Sequence, residues 1–324
     1  MSADTGRGAP RPGRGEPVVG GVEIGGTKVV CAIGTGPDDL RAETRVSTTT
    51  PQETLARVVA FFTEQAVGAP LSAVGVASFG PLDLDERSKT WGHVTATTKP
   101  GWSEADVAGP LHRALGVPIA IDTDVNGAAL GEHRWGAGRD HDPLVYVTVG
   151  TGIGGGGVIG GRTMRGLVHP EMGHMRVPHD REVDPFAGVC PFHGDCLEGL
   201  ASGPALRARW HAPADTLPAG HPAWALEARY VALGLANVIC ALSPRRIIVG
   251  GGITAPPALL PQVRAEVVGL LSGYVRAPAV LAHIDDYIVP PALGERAGVL
   301  GAMALALDVV AAAAPHRGPR RTGH

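Results

Sequence analysis

The chain of 324 residues has little net charge and no long apolar run. A formal net charge of −3 argues against an electrostatic surface for nucleic acid or for anionic membranes. No apolar run approaches the length of a membrane span. Residues 1–17 lack the apolar segment that a secretory signal needs. We therefore expect a cytoplasmic protein with neither a nucleic-acid partner nor a membrane partner.

Cysteine is also scarce, with 4 residues in the chain. Cys190 and Cys196 fall in one short motif, whereas Cys31 and Cys240 lie far apart in apolar segments. We expect the latter two to be buried free thiols. This pattern suits a reducing cytoplasm better than a disulfide framework.

Glycine, by contrast, is abundant, at 47 of 324 residues, which is about twice ordinary usage. The glycines cluster in runs, which suggests phosphate-binding loops rather than general flexibility. A hydrophobic content of 44% and a mean hydropathy of +0.10 are typical of a soluble globular protein with a substantial core. The length allows two lobes or one large α/β domain.

Strand and helix patterns alternate between two tails rich in Pro, Gly and Arg, residues 1–17 and 315–324, which we predict to be disordered. The predicted strands are Val18–Ile24, Lys28–Ile33, Ala73–Ser78, Pro118–Asp122, Leu144–Val149, Gly155–Ile159 and Arg245–Val249. The predicted helices are one opened by the capping box Thr50-Pro51-Gln52-Glu53, and then Val125–Trp135, Ala223–Leu242, Pro257–Leu271 and Ala297–Ala314. This alternation predicts an α/β protein with a largely parallel core. A strand followed by a glycine turn occurs at Glu23–Lys28 and again at Val147–Gly154, which suggests two structurally similar halves.

Three glycine loops each follow a hydrophobic strand. They are Gly25-Gly26-Thr27-Lys28, Gly150-Thr151-Gly152 with the glycines after it, and Gly250-Gly251-Gly252. The first precedes a strand, so it is not a Walker A loop, which must open a helix. One such loop alone is more often a tight turn. Three of them, two with threonine hydroxyls, favour phosphate binding by backbone N–H groups, as in a nucleotide clasped between two lobes.

An aspartate pair lies where a predicted strand ends and a predicted helix begins, in Ile121-Asp122-Thr123-Asp124-Val125-Asn126. The simplest interpretation of Asp124 is a helix N-cap. The alternative is a general base, which accepts the proton of a substrate hydroxyl while that oxygen attacks a phosphorus. We favour Asp124 over Asp122 as the base because the strand breaks there, at an edge where ligands bind.

A metal motif follows further along the chain. His174, Cys190, His193 and Cys196 together offer two imidazoles and two thiolates, the ligand set of a closed tetrahedral zinc site. Four protein ligands leave no open position for water, so we predict a structural zinc rather than metal-activated hydrolysis. The alternative is a loop of small residues with incidental cysteines and histidines.

Two carboxylates, Glu171 and Glu198, flank this motif. Glutamates are mostly solvated, but Glu171 stands three residues before a proposed ligand that would hold it in place. Fixed carboxylates accept hydrogen bonds from vicinal hydroxyls, so a sugar is the expected guest. Trp102 either stacks on a sugar face or fills a core, and the sequence leaves both open. His169 and His179 are expected to form hydrogen bonds or to face solvent.

Five motifs occur in order along the chain: Val22-Glu23-Ile24-Gly25-Gly26-Thr27-Lys28, Asp122-Thr123-Asp124-Val125-Asn126-Gly127, Val149-Gly150-Thr151-Gly152-Ile153-Gly154, His169-Pro170-Glu171-Met172-Gly173-His174, and Cys190 through Glu198. This set resembles the ROK family of sugar kinases (repressors, open reading frames and kinases) over about residues 18–307. Three further segments resemble its zinc-containing bacterial fructokinase branch in particular: Cys-Pro-Phe-His-Gly-Asp-Cys, Thr97-Thr98-Lys99-Pro100-Gly101-Trp102, and Asp286-Tyr287-Ile288-Val289-Pro290-Pro291.

The resemblance implies an α/β fold of two lobes, actin-like (hexokinase-type, ribonuclease H-like), with ATP and sugar in the cleft between them. It places an N-terminal lobe at residues 18–123 and a C-terminal lobe at residues 124–296, with a zinc loop at 169–198. A C-terminal helix at about residues 297–314 would pack back on the first lobe, and the protein would be a homodimer.

The resemblance also assigns roles to the motif residues. Asp124 would be the catalytic base, and the sugar site would be formed by Asn126, Glu171, His174 and Glu198, with Lys99 and Trp102 as further candidates. His174 would serve mainly as a zinc ligand, with Cys190, His193 and Cys196. The nucleotide would contact Gly25, Gly26, Thr27, Lys28, Gly150, Thr151 and Gly152 through its phosphates, and Gly250, Gly251 and Gly252 on the adenosine side. Glu23, where many relatives carry Asp, would hold Mg²⁺ through water.

The resemblance therefore implies an ATP- and Mg²⁺-dependent fructokinase that forms fructose 6-phosphate. A kinase for mannose, glucose or N-acetylmannosamine is the enzymatic alternative, because hydroxyl-binding residues barely distinguish epimers. The non-enzymatic alternative is a sugar-responsive repressor of the same family. We expect it not to apply, because the first glycine motif begins near residue 22 and leaves no room for a DNA-binding domain.

Overall fold

The computed structural model describes residues 16–67, 70–254 and 256–314. The two predicted disordered tails fall outside these ranges, except for Glu16 and Pro17. Two five-stranded sheets with helices between and around them make up the described chain.

The first sheet comes from the N-terminal part of the chain. Its strands are β1 (Val19–Ile24), β2 (Lys28–Gly36), β3 (Asp39–Ser47), β4 (Ala73–Ser78) and β5 (Ile119–Thr123). They lie in the order β3-β2-β1-β4-β5. The pairs β1–β2 and β2–β3 are antiparallel, whereas β1–β4 and β4–β5 are parallel.

The second sheet repeats this arrangement. Its strands are β6 (Leu144–Val149), β7 (Ile153–Ile159), β8 (Arg162–Thr163), β9 (Arg246–Gly250) and β10 (Ile288–Val289), in the order β10-β9-β6-β7-β8. The pairs β6–β7 and β7–β8 are antiparallel, and β6–β9 and β9–β10 are parallel. Read from its other edge, β8-β7-β6-β9-β10, the second sheet has the same strand order as the first, so the two halves suggested by the repeated glycine turn share one topology. The expected largely parallel core is wrong, because short hairpin connections force antiparallel pairing in both sheets.

Ten α-helices complete the described part of the chain. They are α1 (Pro51–Gln65), α2 (Ala108–Leu115), α3 (Asp124–Trp135), α4 (Leu197–Ala201), α5 (Gly203–Trp210), α6 (Ala223–Leu242), α7 (Leu259–Leu271), α8 (Pro278–Leu281), α9 (Ile284–Tyr287) and α10 (Ala297–Ala313). The helix start predicted by the capping box is confirmed in its N-cap half, since the side chain of Thr50 accepts a hydrogen bond from Glu53 N at 3.4 Å.

Helices α3 and α10 connect the two sheets. Helix α10 packs on β1 and β4 of the first sheet and on α3, while α3 also contacts β6 and β7 of the second sheet. Glycine permits this close approach, because a Cβ at Gly75 would collide with the Ala302 carbonyl and one at Gly301 with that of Gly127. Asp124, the first residue of α3, therefore lies where the two halves meet.

Two helical stretches have the length and apolar composition of a membrane span, Ala223–Leu242 and Gly294–Ala313. In each, 56% of the most apolar window is buried. Helix α6 supplies much of the core beneath the second sheet, and α10 packs between the lobes. Both behave as core helices of the fold.

One expectation about the cysteines is wrong. Cys31 is buried in β2, as predicted, but Cys240 is exposed. It lies in the last turns of α6, where Ile239 turns inward and Cys240 faces outward. An apolar helical segment does not by itself bury each of its residues, because only one face of the helix packs.

Candidate active site

Asp124 occupies the start of α3, immediately after β5 ends. The N-cap of this helix is Thr123, whose hydroxyl accepts a hydrogen bond from Asn126 N at 3.2 Å. The carboxylate of Asp124 accepts from its neighbour Val125 N at 2.9 Å. The interpretation of Asp124 as the N-cap is therefore wrong, and its carboxyl is available for another role.

Two further carboxylates surround Asp124. The pKa of Asp124 is raised to about 7, chiefly by removal of the carboxyl from water and in addition by the nearby charges of Glu23 and Glu171. Glu23 comes from the C-terminal half of β1, and Glu171 from the segment before the zinc-type motif. The fold thus brings together three acidic side chains that lie far apart in sequence, and one of them titrates near neutral pH.

Glu23 has the properties expected of a cation ligand. Burial raises its pKa, with Lys28 as the largest opposing influence. Its Oε2 atom is buried and has no hydrogen-bond partner among the described residues. Gly298 makes room for the carboxyl, because a Cβ there would collide with it. A buried acceptor without a partner, close to a second carboxylate, fits a divalent cation held directly or through water.

A hydrogen-bond network under Asp124 fixes the start of α3. Asp122 is 0% exposed and accepts from Arg165 Nε at 3.0 Å, from Arg165 Nη2 at 2.8 Å and from Asn126 Nδ2 at 2.9 Å. The Asn126 amide also donates to Met164 O at 2.9 Å and accepts from Gly157 N at 3.0 Å. Asn126 is itself 0% exposed, so in this structure its side chain binds protein groups, and its contact with a sugar stays a prediction.

Trp102 and Lys99 are the two sugar-site candidates from the first half of the chain, and Trp102 lies in a hydrophobic core. Trp102 is 0% exposed, its Nε1 donates to Thr49 O at 2.8 Å, and its ring meets Phe79 edge to face. The alternative in which Trp102 fills a core therefore holds, and stacking on a sugar does not fit this geometry. Lys99 lies at the first glycine loop, where its Nζ donates to Gly26 O.

The first glycine loop is the turn between β1 and β2. Gly25 N donates to Lys28 O at 2.9 Å, and Thr48 Oγ1 donates to Gly25 O at 2.7 Å. The three residues after Gly25 are exposed: Gly26, Thr27 and Lys28. These residues thus face solvent at the end of β1, where the Lys28 Nζ atom also lies 3.8 Å from Glu295 Oε2.

The second and third glycine loops are neighbours, because β6 and β9 are adjacent parallel strands whose carboxyl ends coincide. Gly150 N donates to Gly152 O at 2.9 Å, which makes a tight turn before β7. Gly251 has φ of +98°, and a Cβ there would collide with the Val149 carbonyl. Only glycine fits that position, so these two loops form one glycine-lined edge of the second sheet.

The four residues of the predicted metal motif are brought together. One ligand atom from each of them, His174, Cys190, His193 and Cys196, lies within 4.8 Å of the others. His174 Nδ1 is 3.7 Å from Cys190 Sγ and 3.6 Å from Cys196 Sγ, and His193 Nδ1 is 3.6 Å from Cys190 Sγ. Zinc bonds of ordinary length at a tetrahedral angle place sulfur and nitrogen about 3.6 Å apart. The cluster is therefore of the zinc type.

In sequence, Glu171 precedes this cluster and Glu198 follows it. In the fold, the two carboxylates are close enough for their charges to interact. Burial raises the pKa of Glu171, with opposing influences from His169 and His174 and a further increase from Glu198. The Glu171 side chain is 41% exposed and so remains accessible to a ligand. Glu198 Oε2 accepts from Ile153 N at 2.9 Å, which also ties the second glycine loop to the metal motif.

The family model described as ROK family matches residues 19–309. The chain belongs to the ROK family. The fructokinase of Zymomonas mobilis is 43% identical to it over 297 residues, covering 90% of this chain and 96% of the relative. The fructokinase of Lactococcus lactis is 40% identical and covers 85% of this chain and 92% of the relative. The crystal structure of a ROK glucokinase from Streptomyces griseus, in complex with glucose and AMPPNP, has a TM-score of 0.72 at 27% identity, over 90% of this chain and 99% of that one.

Membership of the ROK family confirms the two-lobed fold that the motifs implied. Sequence reasoning nevertheless missed one residue of the site. Arg165 binds Asp122 across 43 positions of sequence, and nothing in the sequence pairs the two. Of the two alternatives for His169, hydrogen bonding holds and solvent exposure does not, since the residue is buried and accepts from Leu82 N.

Proposed function

We propose that the chain catalyses the ATP- and Mg²⁺-dependent phosphorylation of D-fructose to fructose 6-phosphate. Identities of 40–43% to two fructokinases, against 27% to a ROK glucokinase, support fructose over glucose as the substrate. The observation that carries the chemistry is Asp124, fixed at the start of α3 with a pKa of about 7.

In this proposal Asp124 accepts the proton of the sugar hydroxyl, whose oxygen attacks the γ-phosphorus of ATP in line. A base whose pKa lies near the working pH combines a large ionised fraction with adequate basicity. Helix α3 holds the carboxylate in place, because the Asp122–Arg165–Asn126 network anchors the same turn. Glu171, whose charge acts on Asp124 and whose side chain is 41% exposed, would accept hydrogen bonds from the remaining sugar hydroxyls.

The phosphates would lie between the glycine loops, whose backbone N–H groups are natural anion donors. Mg²⁺, held by Glu23 through water, would neutralise charge on the phosphates. Closure of the lobes would exclude water, which otherwise competes with the sugar as the acceptor.

We also propose that the cysteine and histidine cluster binds one zinc ion with a purely structural role. All of its protein ligands are already supplied, so no position remains for catalytic water. The ion would hold the segment between Glu171 and Glu198, which includes the neighbours of the sugar site.

A cytoplasmic location and a homodimer belong to the same proposal. Thiolate ligands and free thiols are most stable under reducing conditions. The segment around the metal motif exposes large apolar side chains, which is typical of an interface: Leu167, Val168, Val183 and Phe192. Light scattering coupled to size-exclusion chromatography would measure the mass directly.

The test of substrate is an ADP-release assay with ATP, Mg²⁺ and a panel of fructose, mannose, glucose and N-acetylmannosamine. We expect kcat/KM for fructose to be at least about tenfold above each of the others, a difference of about 1.4 kcal/mol in transition-state binding. Faster turnover of another sugar would overturn the choice of fructose but retain a sugar kinase. No turnover of any sugar by zinc-loaded protein would overturn the proposed activity.

A further inference from the structure

His169 is a buried histidine between the two halves of the molecule. The residue is 5% exposed, although it lies in a loop that leads to the cleft. Its ring packs on Gly80, which follows the end of β4, and a Cβ at that glycine would lie 3.3 Å from His169 Nε2. The ring therefore fills a space that is left free by glycine on the first lobe.

The hydrogen bonds of His169 fix which nitrogen carries the proton. Leu82 N donates to His169 Nε2 at 3.0 Å, so Nε2 is the unprotonated acceptor. The proton of the neutral ring is then on Nδ1. That atom lies 3.5 Å from Glu171 Oε1 and 3.3 Å from Pro170 O. In the tautomer set by the first lobe, Nδ1–H donates to Pro170 O and lies 3.5 Å from the carboxylate of Glu171, close enough for that carboxylate to share the N–H group.

These contacts join three parts of the molecule through one ring. The loop after β4 holds Nε2, the Pro170–Glu171 segment receives Nδ1–H, and the metal motif begins three residues beyond Glu171. His169 is not one of the metal-type cluster residues, so its contacts are separate from that cluster. The Glu171 side chain has no hydrogen bond among the described residues, and the His169 ring is the polar side chain recorded within 4 Å of its carboxylate.

We propose that His169 is a positioning residue, which links the loop after β4 to the second lobe and orients Glu171 towards the sugar. This inference rests on the proposed sugar kinase activity, and it goes further by assigning part of the sugar affinity to a contact between the lobes. A carboxylate that is held in one orientation binds vicinal hydroxyls better than one that rotates freely, because less conformational freedom is lost on binding.

Three substitutions separate the two contacts of the ring. His169→Leu removes both. His169→Gln retains an acceptor near the position of Nε2 for Leu82 N–H, whereas His169→Asn retains an N–H donor near the position of Nδ1 for Glu171. His283→Gln is the matched control, since His283 is an exposed histidine at the start of α9 with no side-chain cap hydrogen bond.

The measurements are KM for fructose, KM for ATP, kcat, the melting temperature and the zinc content of each variant. We expect His169→Leu to raise KM for fructose about tenfold, because Glu171 loses the N–H group beside its carboxylate and is then free to rotate away from the sugar. KM for ATP and kcat should change by less than about threefold, because the nucleotide loops are untouched. The Gln and Asn variants should each recover part of the loss, and His283→Gln should match the wild type.

Two outcomes would overturn the inference while leaving the sugar kinase activity in place. One is a KM for fructose within about twofold of the wild type in all three His169 variants. The other is a fall in kcat together with comparable rises in KM for fructose and KM for ATP and a loss of zinc, which would show a purely structural role. If His169→Leu does not fold, the Gln and Asn variants still decide the question. A wild type without turnover of any sugar would overturn the proposed function and this inference with it.

Discussion

At the scale of single residues, the raised pKa of Asp124 leads to predictions for the proposed reaction and for the stability of the protein. Its carboxyl is buried and adjoins Glu23 and Glu171, so that the charged form is disfavoured. The same surroundings make it a stronger base than a solvated aspartate.

The first prediction concerns the pH dependence of the reaction. Because the base must be ionised, kcat/KM for fructose should rise with pH and level off above an apparent pKa near 7. At pH 5.5 the value should be about 30-fold below the plateau. The apparent pKa belongs to the group of three carboxylates rather than to Asp124 alone. A profile that stays flat down to pH 5 would contradict the raised pKa.

The second prediction concerns the stability of Asp124→Asn in the absence of ligands. The unfolded carboxyl ionises near 3.8, whereas the folded one keeps its proton to about pH 7. Between about pH 4 and pH 7 the folded state therefore binds one more proton than the unfolded state, and the free energy of unfolding falls as the pH rises through this range. Removing the charge should stabilise the variant at pH 8 by on the order of 1–3 kcal/mol, with a smaller gain at pH 5. Denaturant unfolding at both pH values measures this, and a variant less stable than wild type at pH 8 would refute it.

At the scale of elements, the segment from His169 to Glu198 combines the metal-type cluster with very little regular structure. Between the short 3₁₀ turn Met172–His174 and α4, the segment has no helix or named strand. A segment with so little secondary structure needs cross-links to hold two carboxylates in place.

The third prediction is that Cys190→Ser loses the metal and destabilises this segment. The zinc content should fall from one per chain to below about 0.2, and the free energy of unfolding should fall by more than about 3 kcal/mol. Cys240→Ser is the matched control, because that cysteine is exposed and outside the cluster. One zinc per chain retained in Cys190→Ser would contradict the assignment of the ligands.

The start of α3 offers a fourth prediction. Arg165→Met would leave the fully buried carboxylate of Asp122 without the two guanidinium N–H groups that donate to its Oδ2 atom. Since the Arg165 side chain is 35% exposed, we expect a loss of about 1–3 kcal/mol in stability, below the value for a fully buried pair. Thermal unfolding of Arg165→Met would measure this loss of stability, with Arg162→Met as the control because the Arg162 side chain is exposed. An equal, small effect in both variants would show that the pair does not anchor the helix.

At the scale of the whole molecule, the sequence predicted the buried elements best. Strands β1, β4, β6 and β9 are buried apolar runs, and each was predicted to within a residue or two. Strand β3 was missed because its residues are half-exposed and polar, without an apolar run. The short Gly25-Gly26 turn predicts the hairpin of β1 and β2, and this pairing is confirmed, whereas the apolar pattern alone does not give the directions of the other strands.

In the candidate site, too, features that a local sequence pattern encodes were predicted, and features that depend on distant contacts were not. The metal-type cluster was predicted because four soft ligands in one short segment are rare and chemically specific. The convergence of Glu23, Asp124 and Glu171 was reached only through resemblance to the ROK family, since it depends on how two sheets meet. The Asp122–Arg165 pair and the His169 contact with Leu82 join residues 43 and 87 positions apart, and no local pattern indicates either.

The central claim is that this two-lobed molecule phosphorylates fructose with Asp124 as the base. The most direct test compares ADP release from ATP and fructose by wild type and by Asp124→Asn, with fructose binding measured in parallel by calorimetry. The account predicts wild-type turnover, a fall in kcat of at least about 100-fold in the variant, and fructose affinity within about threefold of wild type. A variant that keeps more than about a tenth of the wild-type rate would show that Asp124 is not the base.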